Sequence, residues 1–94
     1  MTRDDATVLV VDDLPQNRRL LDAVLSPQGF TVLCAASGEA ALDLLAERLP
    51  DIVLLDIMMP GMDGYETCRR IRQEPSTSFV PVVMVTASGD AEKV

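Results

Sequence analysis

Membrane-length apolar runs, a surplus of basic charge, a cysteine framework and aromatic bulk are all scarce or absent in this sequence. Each gap removes a class of protein. No stretch approaches the length that spans a bilayer, and Met1-Thr2-Arg3-Asp4-Asp5 has no signal-type apolar region behind it, so the expectation is a cytoplasmic protein that does not engage membranes. Eight basic residues against fifteen acidic ones leave a net charge of −7. A chain so charged lacks the cationic face that neutralises phosphates, and direct nucleic-acid binding is not expected. The two cysteines, Cys34 and Cys68, have neither metal-ligand spacing nor a disulfide framework, and read as reduced packing residues. Only three aromatics accompany a hydrophobic content of 48%, so the core must be aliphatic, and 94 residues suffice for one domain but not two.

What is present is organised around Ile52-Val53-Leu54-Leu55-Asp56, followed by the turn-rich Ile57-Met58-Met59-Pro60-Gly61-Met62-Asp63-Gly64. A short unbroken aliphatic run closed by Pro and Gly predicts a strand buried on both faces. Asp56 then stands where the strand leaves the core. Val8-Leu9-Val10-Val11 is a second such run, and it too ends in acids, Asp12-Asp13.

Helices fall between the strands. Pro15 suits a first helical turn, and Leu20, Leu21, Val24 and Leu25 predict one apolar stripe, stopped by Ser26-Pro27-Gln28-Gly29. Residues 30–34 are β-rich. Ser37 is a candidate N-cap for a helix carrying Ala41, Leu42, Leu45 and Leu49, which Pro50 ends. Asp63 and Glu66 have the spacing of a capping box, with Tyr65, Cys68 and Ile71 as the predicted buried stripe and Arg69, Arg70 and Arg72 on the solvated side. Residues 80–85 form a fourth aliphatic run ending at Thr86, and Ser88, Asp90 and Glu92 read as a further helix start. The order β-α-β-α-β-α-β predicts a parallel sheet covered on both faces, with flavodoxin-like strand order 2-1-3-4.

In that order the first and third strands are neighbours, about 5 Å apart, and Asp12, Asp13 and Asp56 converge at their carboxyl ends. Like charges so close raise one another's pKa unless a cation neutralises them, and an all-oxygen cluster suits a hard ion such as Mg²⁺. Thr86, beyond Asp56 on the fourth strand, adds a hydroxyl facing the same point. A carboxylate nucleophile, a metal and a hydroxyl donor are the parts that accept a phosphoryl group as an acyl phosphate. The plainer reading is that Asp12 and Asp13 cap the first helix while Thr86 pairs with backbone.

Val8-Leu9-Val10-Val11-Asp12-Asp13, Leu54-Leu55-Asp56 through Gly64, and Val82-Val83-Met84-Val85-Thr86-Ala87 together resemble the receiver domain of two-component response regulators. The resemblance implies that residues 1–94 are one receiver domain, incomplete, ending at the start of the fourth helix and lacking the fifth strand and last helix. It implies a signalling domain rather than an enzyme with a separate substrate, one that catalyses phosphoryl transfer to its own aspartate and the hydrolysis of the product. Asp56 is then the phosphoacceptor, served by a histidine kinase or phosphotransfer protein. Asp13 and Asp56 ligate Mg²⁺ directly, Asp12 acts through water, the Met58 carbonyl supplies a further oxygen, Thr86 swings toward the phosphoryl group, and small Ala87 leaves access. The family's lysine on the fifth strand has no counterpart, since Lys93 belongs to the incipient helix.

Three rivals are set against this. A haloacid-dehalogenase type of enzyme wants a second acid where Met58 stands. A flavin binder wants a hydroxyl- and glycine-rich phosphate loop where Asp12-Asp13-Leu14-Pro15 stands. A receiver-like interaction or dimerisation module without phosphorylation chemistry is the third. The uncovered edge of the fourth strand, residues 82–85, is a template for strand pairing, so a homodimer through it is an expected partner.

Overall fold

The computed structural model describes residues 6–85. Four parallel strands, β1 (Thr7–Val11), β2 (Thr31–Ala35), β3 (Ile52–Asp56) and β4 (Val82–Val85), form one sheet in the order β2-β1-β3-β4. Helices α1 (Pro15–Leu25), α2 (Gly38–Glu47) and α3 (Gly64–Gln73) connect them. The flavodoxin-like arrangement is as the alternation of runs predicts. The predicted fourth helix, with Ser88, Asp90, Glu92 and Lys93, lies outside the described residues.

Local chemistry sets the boundaries. The Ser37 hydroxyl accepts from Ala40 N at 3.1 Å and caps α2, and the Asp63 carboxylate accepts from Glu66 N at 2.9 Å and caps α3. Glu66 does not complete a capping box. It pairs instead with Arg69 and Arg70 one turn on. Val80 precedes β4 rather than belonging to it, since its N–H goes to the Thr77 carbonyl at 3.0 Å and Pro81 has no N–H for the ladder. Arg72 fastens this approach by donating to the carbonyls of Ser78 and Val80 at 2.9 and 2.7 Å.

The two faces of the sheet are covered unequally. Leu9, Val11, Val53 and Leu55 point to the face under α2 and α3, where they pack with Ala41, Leu45, Met59, Ile71 and Val80. On the α1 face Val8 and Val10 are buried, but Val32, Ile52 and Leu54 are half-buried, and Cys34 and Val83 are exposed. The expectation that β3 is buried on both faces therefore holds only for its α2–α3 side.

The same asymmetry corrects the α1 stripe. Leu21 and Leu25 are half-buried, while Leu20 and Val24 are 62% and 53% exposed and no α1 residue is fully buried. In α3 the core positions are Thr67 and Ile71 rather than Tyr65, which is exposed because the stripe turns with Gly64 and Thr67. Leu49 is also exposed, as α2 stops at Glu47. Cys34 is not a buried packing residue, and Cys68 is half-buried; both are free thiols. Partial desolvation against the sheet raises the Cys34 pKa even so, with nearby Asp22 adding to it.

Candidate metal centre

The site is built by the β1–β3 register. Val8 pairs with Ile52 and Val11 with Leu55, so one step further along places Asp12 beside Asp56. Asp51 secures that register from the opposite end, its carboxylate accepting from Thr7 N at 2.6 Å while its own N–H donates to the Thr7 carbonyl at 2.8 Å. Asp12 continues the ladder with β2, donating its N–H to the Ala35 carbonyl at 3.1 Å.

The loop after β3 is closed just as firmly. Gly61, at φ 75°, makes the turn after Pro60, and Gly64 N donates to the Ile57 carbonyl at 3.0 Å, bringing the start of α3 back against the strand end. A Cβ on Gly64 would lie 2.8 Å from Ile57 Cα and closer still to the Asp56 carbonyl oxygen. Only glycine lets α3 begin there. The loop's Met58 projects into solvent, and its N–H donates to Asp56 Oδ1 at 3.3 Å.

Asp12, Asp13 and Asp56 come together as expected: one carboxylate oxygen from each lies within 4.8 Å of the others. Asp12 and Asp56 are only 4% and 6% exposed. Burial pushes the Asp56 pKa up, and the Asp12 charge, then the Asp13 charge, push the same way; the Met58 N–H opposes them. Two carboxylates about 5 Å apart repel by about 3 kcal/mol at an effective dielectric near 20. Among the described residues no cation pairs with the cluster, for the ion pairs join Glu66 to Arg69 and Arg70.

The donors therefore fit a small divalent cation: they are hard oxygens, close together and uncompensated in charge. Asp12 and Asp13 do not cap α1, whose N-cap is Leu14 with no side-chain bond, so the part of the plainer reading that concerns these two acids fails. Thr86 and Ala87 lie outside the described residues.

Two residues at the site carry no signal in the sequence reading. Asn17 Nδ2 donates to Asp12 Oδ2 at 3.2 Å, and Arg18 Nη1 donates to the Asp12 carbonyl at 2.7 Å. Both stand early in α1, at polar positions that pattern-reading assigns to solvent. The available clue is spacing, since a helix starting at Pro15 returns its first full turn toward the end of β1.

An open parallel sheet with an acid cluster at the β1–β3 switch point defines a flavodoxin-like protein whose chemistry gathers at the strand ends. Residues 8–94 match the response regulator receiver domain, and the chain belongs to that family, a signalling module of two-component systems. It is 50% identical over 82 residues to the response regulator PleD of Caulobacter vibrioides, covering 87% of this chain and 18% of that protein. It is 48% identical over 83 residues to the probable transcriptional regulator ycf27 of Guillardia theta, covering 88% of this chain and 32% of that one. The chain thus spans a third or less of the length of these relatives. Among solved structures, the N-terminal domain of a response regulator receiver protein from Methanoculleus marisnigri superposes with a TM-score of 0.85 at 46% identity, over 87% of this chain and 67% of that one. Chemotaxis protein CheY4 of Vibrio cholerae gives 0.81 at 30% identity, over 94% and 75%.

Proposed function

We propose that Asp56 is the phosphoacceptor of a Mg²⁺-dependent receiver that takes its phosphoryl group from a histidine kinase or phosphotransfer protein and thereby controls an output domain or partner. The observation that carries this reading is the convergence of three carboxylates within 4.8 Å at the ends of two adjacent strands, with the buried Asp56 held above its ordinary pKa. In the step, an Asp56 carboxylate oxygen attacks the phosphorus of a phosphohistidine. The P–N bond breaks, its electron pair returns to the imidazole, and the imidazole leaves and takes a proton from water. The product is an acyl phosphate on Asp56.

Asp13, Asp56 and the Met58 carbonyl are the groups that would hold Mg²⁺, with Asp12 contributing through water. The ion supplies charge neutralisation for the phosphoryl oxygens and for the aspartates themselves. The residues of this chain do the rest. The β1–β3 register holds Asp12 beside the nucleophile, the Met58 N–H orients Asp56 Oδ1, and the loop closed by Gly64 fixes the backbone from which Asp56 projects. Thr86, next after β4, supplies the hydroxyl that reads the phosphorylated state.

Treatment with acetyl phosphate and Mg²⁺, followed by intact mass measurement, tests the proposal. One labile phosphoryl group is expected on the wild type and none on Asp56→Asn or on the wild type with EDTA. Uptake that persists in Asp56→Asn assigns the nucleophile elsewhere. No uptake by the wild type makes the chain a receiver-shaped interaction module.

A further inference from the structure

Side chains alternate along a strand, so Asp12 and Asp56 continue the rows of Val8–Val10 and Ile52–Leu54 toward the α1 side of the sheet, and the cluster lies where α1 begins. The Asp12 carboxylate is engaged at both oxygens: Leu14 N donates to Oδ1 at 2.9 Å and Asn17 Nδ2 to Oδ2 at 3.2 Å. The Asp12 carbonyl takes the Arg18 guanidinium at 2.7 Å.

We propose that Asn17 is a positioning residue of the metal site, fixing the plane of the Asp12 carboxylate with a neutral donor so that the acid cluster keeps its whole charge for a divalent cation. The inference deepens the metal-site reading above and rests on it. A carboxylate turns easily about its terminal torsion, where the energy wells are broad. The Leu14 N–H restrains one oxygen, and the Asn17 amide, carried on a helix, restrains the other. Together they set the direction in which the remaining lone pairs of Asp12 face Asp13 and Asp56.

The neutrality of the donor is the second half of the argument. A lysine at this place could hold Asp12 by a hydrogen bond too, but it would cancel one of three negative charges and repel the incoming cation. The neighbouring guanidinium, Arg18, is directed at the main-chain carbonyl and leaves the Asp12 carboxylate to the amide. Partners that touch a ligand and not the metal typically change affinity 10- to 100-fold when removed, and Asn17, acting on a carboxylate that reaches the ion through water, belongs at the low end of that range.

The probe is Mn²⁺, titrated into the wild type, Asn17→Leu and Asn17→Lys at neutral pH and followed by the EPR signal of the free ion. Urea unfolding without metal is measured on the same three proteins. Asn17→Leu, similar in size and without a donor, is expected to weaken Mn²⁺ binding about tenfold. Asn17→Lys, which keeps a donor and adds charge, is expected to weaken it at least as much while leaving the metal-free urea midpoint level with or above that of the wild type, since it relieves repulsion among the acids. Wild-type affinity in Asn17→Leu overturns the positioning role, and wild-type affinity in Asn17→Lys overturns the role of neutrality. A loss that tracks a lowered urea midpoint in both variants makes Asn17 structural and overturns the proposal. Absence of Mn²⁺ binding by the wild type itself overturns the metal reading, and the inference with it.

Discussion

The two faces of the sheet are built from equally aliphatic strands and end in different states. Beneath α2 and α3, Val53, Leu55, Ala41 and Ile71 are fully buried; beneath α1, Leu54 is half-buried and Val83 and Cys34 face solvent. Among the described residues, two helices lie over the first face and one over the second, and their starts differ. α2 and α3 each begin with a glycine that admits close approach and a capped first turn, whereas α1 begins with Pro15 after an uncapped Leu14 and buries nothing completely. The tight face carries the fold, and the loose one abuts the acid cluster.

Truncating a leucine on each side separates the two faces by the largest margin. Leu55→Ala removes a fully buried side chain and is expected to cost about 2–5 kcal/mol, whereas Leu20→Ala on α1 should stay within about 0.5 kcal/mol of wild type. Urea unfolding of both variants checks it, and equal losses would show that α1 is packed as firmly as its counterparts.

A methyl group added at a helix start probes the close approaches on the tight face. Gly64→Ala drives Cβ against the backbone of Asp56 and Ile57, which cannot swing aside, and should lose about 1–3 kcal/mol. Gly38→Ala meets Met62 Sδ at 2.9 Å and the Thr67 hydroxyl, both side-chain atoms, and should lose less. Thermal melts of the two variants rank them; a larger loss at Gly38 would place the critical contact between α2 and α3 rather than at the strand end.

The smallest expected effect concerns charge at the boundary between the faces. The Asp56 pKa is raised in the folded protein, so the stability this group contributes is present below the unfolded carboxylate pKa, about 3.9, and is lost as pH rises through the higher folded value. Without metal, Asp56→Asn should therefore melt close to wild type in acid and progressively above it as the pH approaches neutrality. The gap should narrow when Mg²⁺ is added to the wild type. Melting curves at several pH values in EDTA check the sign, and a variant that melts below wild type at neutral pH would show that the Asp56 charge is already balanced.

Strand order, helix order and the meeting of Asp12, Asp13 and Asp56 were legible in the sequence because short aliphatic runs ended in acids and turn residues closed them. Ser37 and Asp63 were legible as caps for the same local reason. Burial was less so. A periodic stripe such as Leu20, Leu21, Val24 and Leu25 tells which residues share a side of a helix, not how much partner surface that side meets. Thr67 and Thr77 were invisible to a pattern that counts apolar residues, though Thr67 bonds to the Asp63 carbonyl at 2.8 Å and Thr77 to that of Ile71 at 2.8 Å, which makes their burial affordable. Asn17 was invisible because its value depends on a hydrogen bond to a different element.

The slack seat of α1 has a consequence for the ways in which the native state fluctuates. Openings that release single elements draw on the least-packed parts of a structure, and a helix without a fully buried side chain or a side-chain cap lies at the low end of that free-energy ladder. Amide protons of α1 should exchange with solvent through such partial openings, at rates separate from those of the buried strands β1 and β3, for which exchange is expected only near global unfolding. Each partial opening also withdraws Asn17 and Arg18 from Asp12, so slow-exchange protection of α1 becomes a running record of how long Asp12 keeps those two partners.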